Sequence, residues 1–253
     1  MKEPRPQLRD SRSAAKALPS VVGRLQMGSS TAVRPDLRPA LQFLSRLSKN
    51  NTRDWFEQNR EHYETAMEEF GILVGQLITG LGKGEDLDGV TPKDCIMRIF
   101  RDVRFSKDKS PYKTGLGAGI VSGGRKSGRI GYHVHLQPGG RTMVGGGMWE
   151  PAPQQLSKFR SAISKDAGDF RKIMESSGFK RHFGELVGEQ VKTAPQGYAA
   201  DHPQIDLLRY KQVCVMERFD DDVVSSPTFP TLAVQSLTAM KPFIDFLNKI
   251  TLE

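Results

Sequence analysis

Between Met97 and Thr114 the chain reads MRIFRDVRFSKDKSPYKT, with Arg98, Arg101, Arg104, Lys107, Lys109 and Lys113 set against only Asp102 and Asp108. Arginine grips phosphate or carboxylate oxygens through a planar fork of N–H donors, and lysine adds a compact point charge. Two acids cannot neutralise six cations locally, so the pattern predicts a site for an anionic ligand. The competing reading is a structural ion-pair network in which Asp102 and Asp108 fix several of the cations. On a regular strand Arg98, Asp102 and Arg104 share one face and Arg101 takes the other. Arg98 and Arg104 are therefore expected to face the ligand, with Asp102 orienting one of them and Arg101 the most structural of the set. Lys107, Lys109 and Lys113 would surround the following loop, and Tyr112 and Trp149 would wall the site.

Two further groups of residues carry titratable chemistry. His133 and His135 alternate along an apolar run and so share one strand face. As a metal pair they would need a third ligand from elsewhere, and a cation is badly sited beside so many positive charges, so no metal is expected. His135 is instead a candidate for acid/base work, as is the Asp201-His202 pair in a polar loop, where the acid could orient the imidazole. The alternative for that loop is a capping Asp201 and a packed His202. No activated-serine pattern, zinc framework or dinucleotide fingerprint occurs, so the residues name no cofactor.

These side chains need a scaffold, and the periodicities describe one. Leu37, Leu41, Phe43, Leu44 and Leu47 recur at helical spacing. Asn51 or Thr52 then caps one long helix whose stripe runs from Trp55 to Leu81. Residues 94–150 alternate as antiparallel strands, expected at 95–103, 116–122, 130–137 and 142–149, joined by glycine-rich turns. Three consecutive glycines, Gly145–Gly147, imply close approach of another backbone or of a ligand. From Pro153 onwards the pattern is helical, with a further strand near 212–216 and a last helix from Leu232 to Leu247. The expectation is an α+β fold: one domain over residues 35–253, a mostly antiparallel sheet packed by N-terminal and C-terminal helices.

Composition limits the partners. The net charge of +8 is concentrated, with net +5 in residues 1–40 and net +7 in residues 93–129, so the remainder is net negative. That distribution fits an anionic partner better than general solubility. An anionic small molecule comes first, and nucleic acid, held by the basic hairpin 123–129 and the N-terminal residues, is the alternative. Residues 1–34 lack apolar periodicity and read as a disordered basic extension. No run approaches the ~18 apolar residues of a membrane span. Cys95 and Cys214 sit in apolar runs and read as buried thiols in a reducing, cytoplasmic setting.

Three motifs carry a family resemblance. NNTRDWFEQNR at 50–60, RIFRDVRFSKDKSPYKT at 98–114 and PQGYAADHPQIDLLRYK at 195–211 resemble, in order, the signatures of a bacterial and fungal family catalogued as domain of unknown function 2461. GYHVHLQPGG and GGGMWEPAP fit between them. The resemblance covers roughly residues 37–250 and implies a single mixed α/β domain without an established activity, so function has to be read from the residues. His135 fits the family pattern, whereas His133 stands where an aromatic residue is usual.

Overall fold

The computed structural model describes residues 34–124 and 127–252. The extension 1–33 and residues 125–126 of the basic hairpin lie outside the described residues. Four strands, β1 (Leu116–Ile120), β2 (Tyr132–Leu136), β3 (Thr142–Met148) and β4 (Val213–Phe219), form one antiparallel sheet in the order β1-β2-β3-β4. The alternation expected from YHVHL is present: Tyr132, Val134 and Leu136 are buried, while His133 and His135 are half-buried on the other side. Pairing extends that alternation across the sheet. One row runs Gly117, His135, Met143, Arg218, and the next runs Gly119, His133, Gly145, Met216.

The buried face is covered by helices. α1 (Arg38–Lys49) packs against the long α3 (Arg60–Leu81), and α10 (Phe229–Ala239) and α11 (Lys241–Leu252) pack on β3. Gly146 lets α11 and its approach come close: a Cβ there would meet Met240 Sδ at 2.7 Å and Ile244 Cδ1 at 3.1 Å. Gly147 has φ +116°, and a Cβ there would collide with the Val213 carbonyl. The three glycines thus serve the approach of the neighbouring strand and of the helical layer. The remaining helices are α2 (Arg53–Gln58), α4 (Pro92–Cys95), α5 (Pro153–Lys165), α6 (Gly168–Glu175), α7 (Ser177–His182), α8 (Ile205–Leu208) and α9 (Asp221–Val224). Among the described residues no helix is long and apolar enough to cross a membrane. Cys95 and Cys214 are buried thiols without a disulfide, and burial pushes the Cys214 thiol up to about 12.

Three elements differ from expectation. The expected strand 95–103 begins instead as α4, because Thr91 and Asp94 form a capping box: Thr91 Oγ1 donates to Asp94 at 2.5 Å and the Thr91 N–H at 3.1 Å. Residues 96–101 then lie along 111–118 with only isolated bridges, Ile96 to Ala118 and Phe100 to Tyr112. Met97 N–H bonds Gly117 O and Lys113 N–H bonds Ile99 O, each at 2.8 Å, so two steps on one side face four on the other. That bulge breaks the ladder. The single helix expected over 52–81 is capped by Thr52, whose Oγ1 accepts the Trp55 N–H at 3.3 Å, but it divides at Asn59. There the side-chain amide donates to Trp55 O at 2.8 Å and competes with the helical ladder. The last helix divides at Met240, where Pro242 has no N–H to continue α10.

Candidate functional site

The cation-rich segment folds into a self-tied loop. Arg101 donates to Asp108, to Ser110 O at 3.2 Å and to Ser106 Oγ at 3.4 Å. Asp108 also accepts the Ser110 hydroxyl at 2.6 Å and its N–H at 2.9 Å; these bonds, then Arg101, bring its carboxyl down to about 2. Arg104 grips Asp102 with both fork donors, at 3.0 and 2.7 Å, which lowers the Asp102 carboxyl; the Arg98 charge acts in the same direction. Lys109 Nζ donates to Val103 O at 3.0 Å. Arg101 thus bonds three residues of its own loop. Arg101 and Arg104 are held by different carboxylates and do not converge. Arg98 and Lys107 are exposed, and among the described residues their side chains make no hydrogen bond or ion pair. Of the two arginines expected to face a ligand, Arg104 is paired with Asp102 and Arg98 stands exposed.

Tyr112 adjoins that loop but is buried, and Trp149 lies elsewhere. Tyr112 is only 3% exposed, its ring stacked on Phe56 with centroids 4.0 Å apart. Asn51 holds its backbone in place, donating to Tyr112 O at 2.9 Å and accepting its N–H at 3.1 Å. Trp149 is exposed but follows the far end of β3. It lies six residues beyond Met143, roughly 20 Å along a strand. The loop sits beyond the opposite end, past Leu116.

The Asp201-His202 pair is not formed either. Asp201 is exposed and does not bond His202 among the described contacts. His202 Nδ1 accepts the Gln204 N–H at 3.1 Å, so the proton of the neutral ring is on Nε2, which donates to Ser164 Oγ at 3.1 Å. An imidazole with that tautomer positions a serine and does not take its proton.

One expected loop residue does reach titratable chemistry. Lys113 acts on both His133 and His135, on the sheet face away from α10 and α11, and Arg141 and Arg218 also act on His135. The two imidazoles lie nearly parallel, 20° apart with centroids separated by 6.3 Å. They lean over glycines in and just before β1: a Cβ on Gly115 would meet His135 Cε1 and Nε2 at 2.7 Å, and one on Gly117 would meet His133 Cε1 at 3.4 Å. Burial, then the charges of His135 and Lys113, push His133 down to about 4. His135 is also lowered, chiefly by burial and by Lys113, Arg141 and Arg218 against the opposing bond to Gln137. Both rings are therefore uncharged at neutral pH.

His135 is also oriented. Gln137 Nε2 donates to Thr114 Oγ1 at 3.1 Å, which turns its carbonyl oxygen towards His135 Nε2 at 3.0 Å. The His135 proton then sits on Nε2, and Nδ1 keeps a lone pair. No strand residue on this face is Asp or Glu; Glu217 points to the other side, where it accepts from Ser236 at 2.5 Å and His182 at 2.8 Å. Asp221, near the β2–β3 turn, is occupied by the N–H groups of Gly139 and Gly140, at 2.8 and 3.1 Å. The arrangement is two neutral imidazoles among three cations. Arg141 and Arg218 were missed in the sequence; the signal for Arg218 was the alternation of Cys214, Met216 and Arg218 against Val213, Val215 and Phe219.

Comparison with known proteins gives one positive finding. The family model described as a conserved hypothetical protein, DUF2461, matches residues 39–246. No curated protein and no solved structure matches the chain.

Proposed function

The chain belongs to the DUF2461 family, and we propose that the histidine face of its sheet binds a small phosphorylated or otherwise acidic molecule. The reading rests on one observation: half-buried His135 shares a cross-strand row with Arg218 on a face whose strands carry no carboxylate, and the charges of Lys113, Arg141 and Arg218 all act to lower it. An anion arriving there relieves the mutual repulsion of three cations and accepts their N–H donors. His135, with a lowered pKa and a lone pair on Nδ1, is the group suited to moving a proton if the bound molecule undergoes hydrolysis or group transfer.

The test is calorimetric titration with inorganic phosphate and pyrophosphate at constant ionic strength, comparing the wild type with Arg218→Glu. Saturable binding that is weakened at least tenfold in the variant is expected. Because an anion favours charged imidazole, binding should also tighten as pH falls and raise the His135 midpoint in proton-detected spectra. Equal affinity in both proteins, or binding without any movement of His135, refutes the assignment.

A second reading, nucleic-acid binding, is favoured by a separate observation. Phe105 is 96% exposed and Phe100 52% exposed, beside Arg98, Arg104 and Lys107, and the Arg104 guanidinium lies 5.9 Å from the Phe105 ring centre. Such a pairing suits base stacking with phosphate contacts. Salt-sensitive binding of a single-stranded oligonucleotide that is lost in Phe105→Ala would support it. Undiminished binding in that variant would exclude a role for the loop.

A further inference from the structure

A second cluster of donors lies away from the sheet. α5 and the loop after Pro195 enclose an open cavity of about 350 Å³, lined among others by Ser157, Arg160, Ser161, Ser164, Lys165 and Tyr198. That size is at the lower end for small-molecule sites, roughly 300–1,000 Å³. Its lining includes two cations and no carboxylate.

Arg160 is the unusual member. Its Nε donates to Leu208 O at 2.9 Å and one Nη2 proton to Tyr210 O at 3.1 Å, tying α5 to the chain after α8. The guanidinium is half-buried, yet no carboxylate pairs with it; besides burial, only the Tyr198 phenol, itself in the lining, acts on its charge. A desolvated cation held only by carbonyls keeps its charge unneutralised and its Nη1 donors free. Ser164 adds a directed donor: its Oγ already accepts the His202 proton, so its own hydroxyl proton is available to a ligand. Ser157 and Ser161 follow at helical spacing beside Arg160. The chemistry converging on the cavity is a guanidinium, an ammonium and hydroxyl groups.

We infer that this cavity is a second binding site, for a small phosphate monoester carrying hydroxyl groups. Arg160 and Lys165 hold the phosphate, Ser164 donates to it, and Ser157 and Ser161 meet the hydroxyls. The site is independent of the sheet face, and its test separates the two. Glycerol 3-phosphate is titrated into the full chain at constant ionic strength and followed by calorimetry and by amide shifts. The two variants are Ser161→Asp, which brings a carboxylate beside Arg160 without touching its carbonyl bonds, and Lys113→Glu, which alters only the sheet face. Saturable binding with shifts in α5 and residues 195–200 is expected, reduced at least tenfold by Ser161→Asp and unchanged at those residues by Lys113→Glu. Ser161 is exposed on the helix surface, so the variant should fold as the wild type does. Absence of saturable shifts around α5, or equal affinity in Ser161→Asp, overturns the inference.

Discussion

Replacing Asn51 with Ala should loosen the segment that carries Lys113. The Phe100–Tyr112 bridge is flanked by two bonds, Arg101 N–H to Pro111 O at 2.9 Å and Lys113 N–H to Ile99 O at 2.8 Å. The Tyr112 N–H and C=O therefore point away from that pairing, and Asn51 satisfies both, its side-chain amide acting as a short piece of strand. Each lost bond removes ~0.5–1.5 kcal/mol, and each orphaned group adds desolvation cost where water cannot reach it. The clamp is only partly buried, which favours the lower part of the range, so the expected loss is about 2 kcal/mol. For a domain of this size that lowers Tm by roughly 4–8 °C. Urea unfolding should show a lower midpoint with unchanged slope, since the surface exposed on unfolding stays the same. Asn51→Asp discriminates further: a carboxylate still accepts the Tyr112 N–H but cannot donate to the carbonyl, so it should not restore the wild-type midpoint. A loss below ~0.5 kcal/mol in Asn51→Ala is the size of an ordinary surface substitution and would refute the clamp.

Two other perturbations test the sheet itself. The His133 pKa of about 4 lies below that of the unfolded chain, so the folded state binds fewer protons between the two values. Its contribution is present above about pH 6.5, is lost as pH falls towards 4, and amounts to at most about 3 kcal/mol; a His133 resonance titrating near its ordinary value would exclude this. Gly147→Ala should prevent proper β3–β4 pairing, because both its φ of +116° and the Val213 carbonyl oppose a Cβ. Circular dichroism and unfolding of the purified variant should show a loss of several kcal/mol, and near-wild-type stability would argue against this backbone geometry.

The parts of the fold that were legible in the sequence are those set by local periodicity. YHVHL separates its faces because strand side chains alternate, and Gly139-Gly140 marks the turn that brings β3 back beside β2. The segment after Thr91 misled because CIMRIF has strand composition while its course is set by a capping box before it and a bulge opposite it. Asn59 misled for a related reason: an unbroken apolar stripe does not reveal that one side-chain amide will compete with the ladder.

The candidate site was less legible because net charge along a sequence does not say which cations remain available. In the basic segment, Asp102 lies two residues from Arg104, and the Asp108 turn bonds Ser110 while facing Arg101, so local acids satisfy the arginines nearest to them. The cations whose charges act on His135 come from three separate pieces of chain. Lys113 begins the bulged stretch, Arg141 follows the Gly139-Gly140 turn, and Arg218 is brought to Met143 by pairing with a strand far earlier in the chain. Only the register of the complete sheet assembles them. The same register turns Glu217, the neighbour of Arg218, to the opposite face, where His182 and Ser236 hold it. Adjacent residues of opposite charge are thereby separated by the thickness of the sheet, and the histidine face is left positive. A one-residue slip of β4 would exchange the two side chains and cancel that polarity, so the β3–β4 pairing that Gly147 permits also determines the electrostatics at His135.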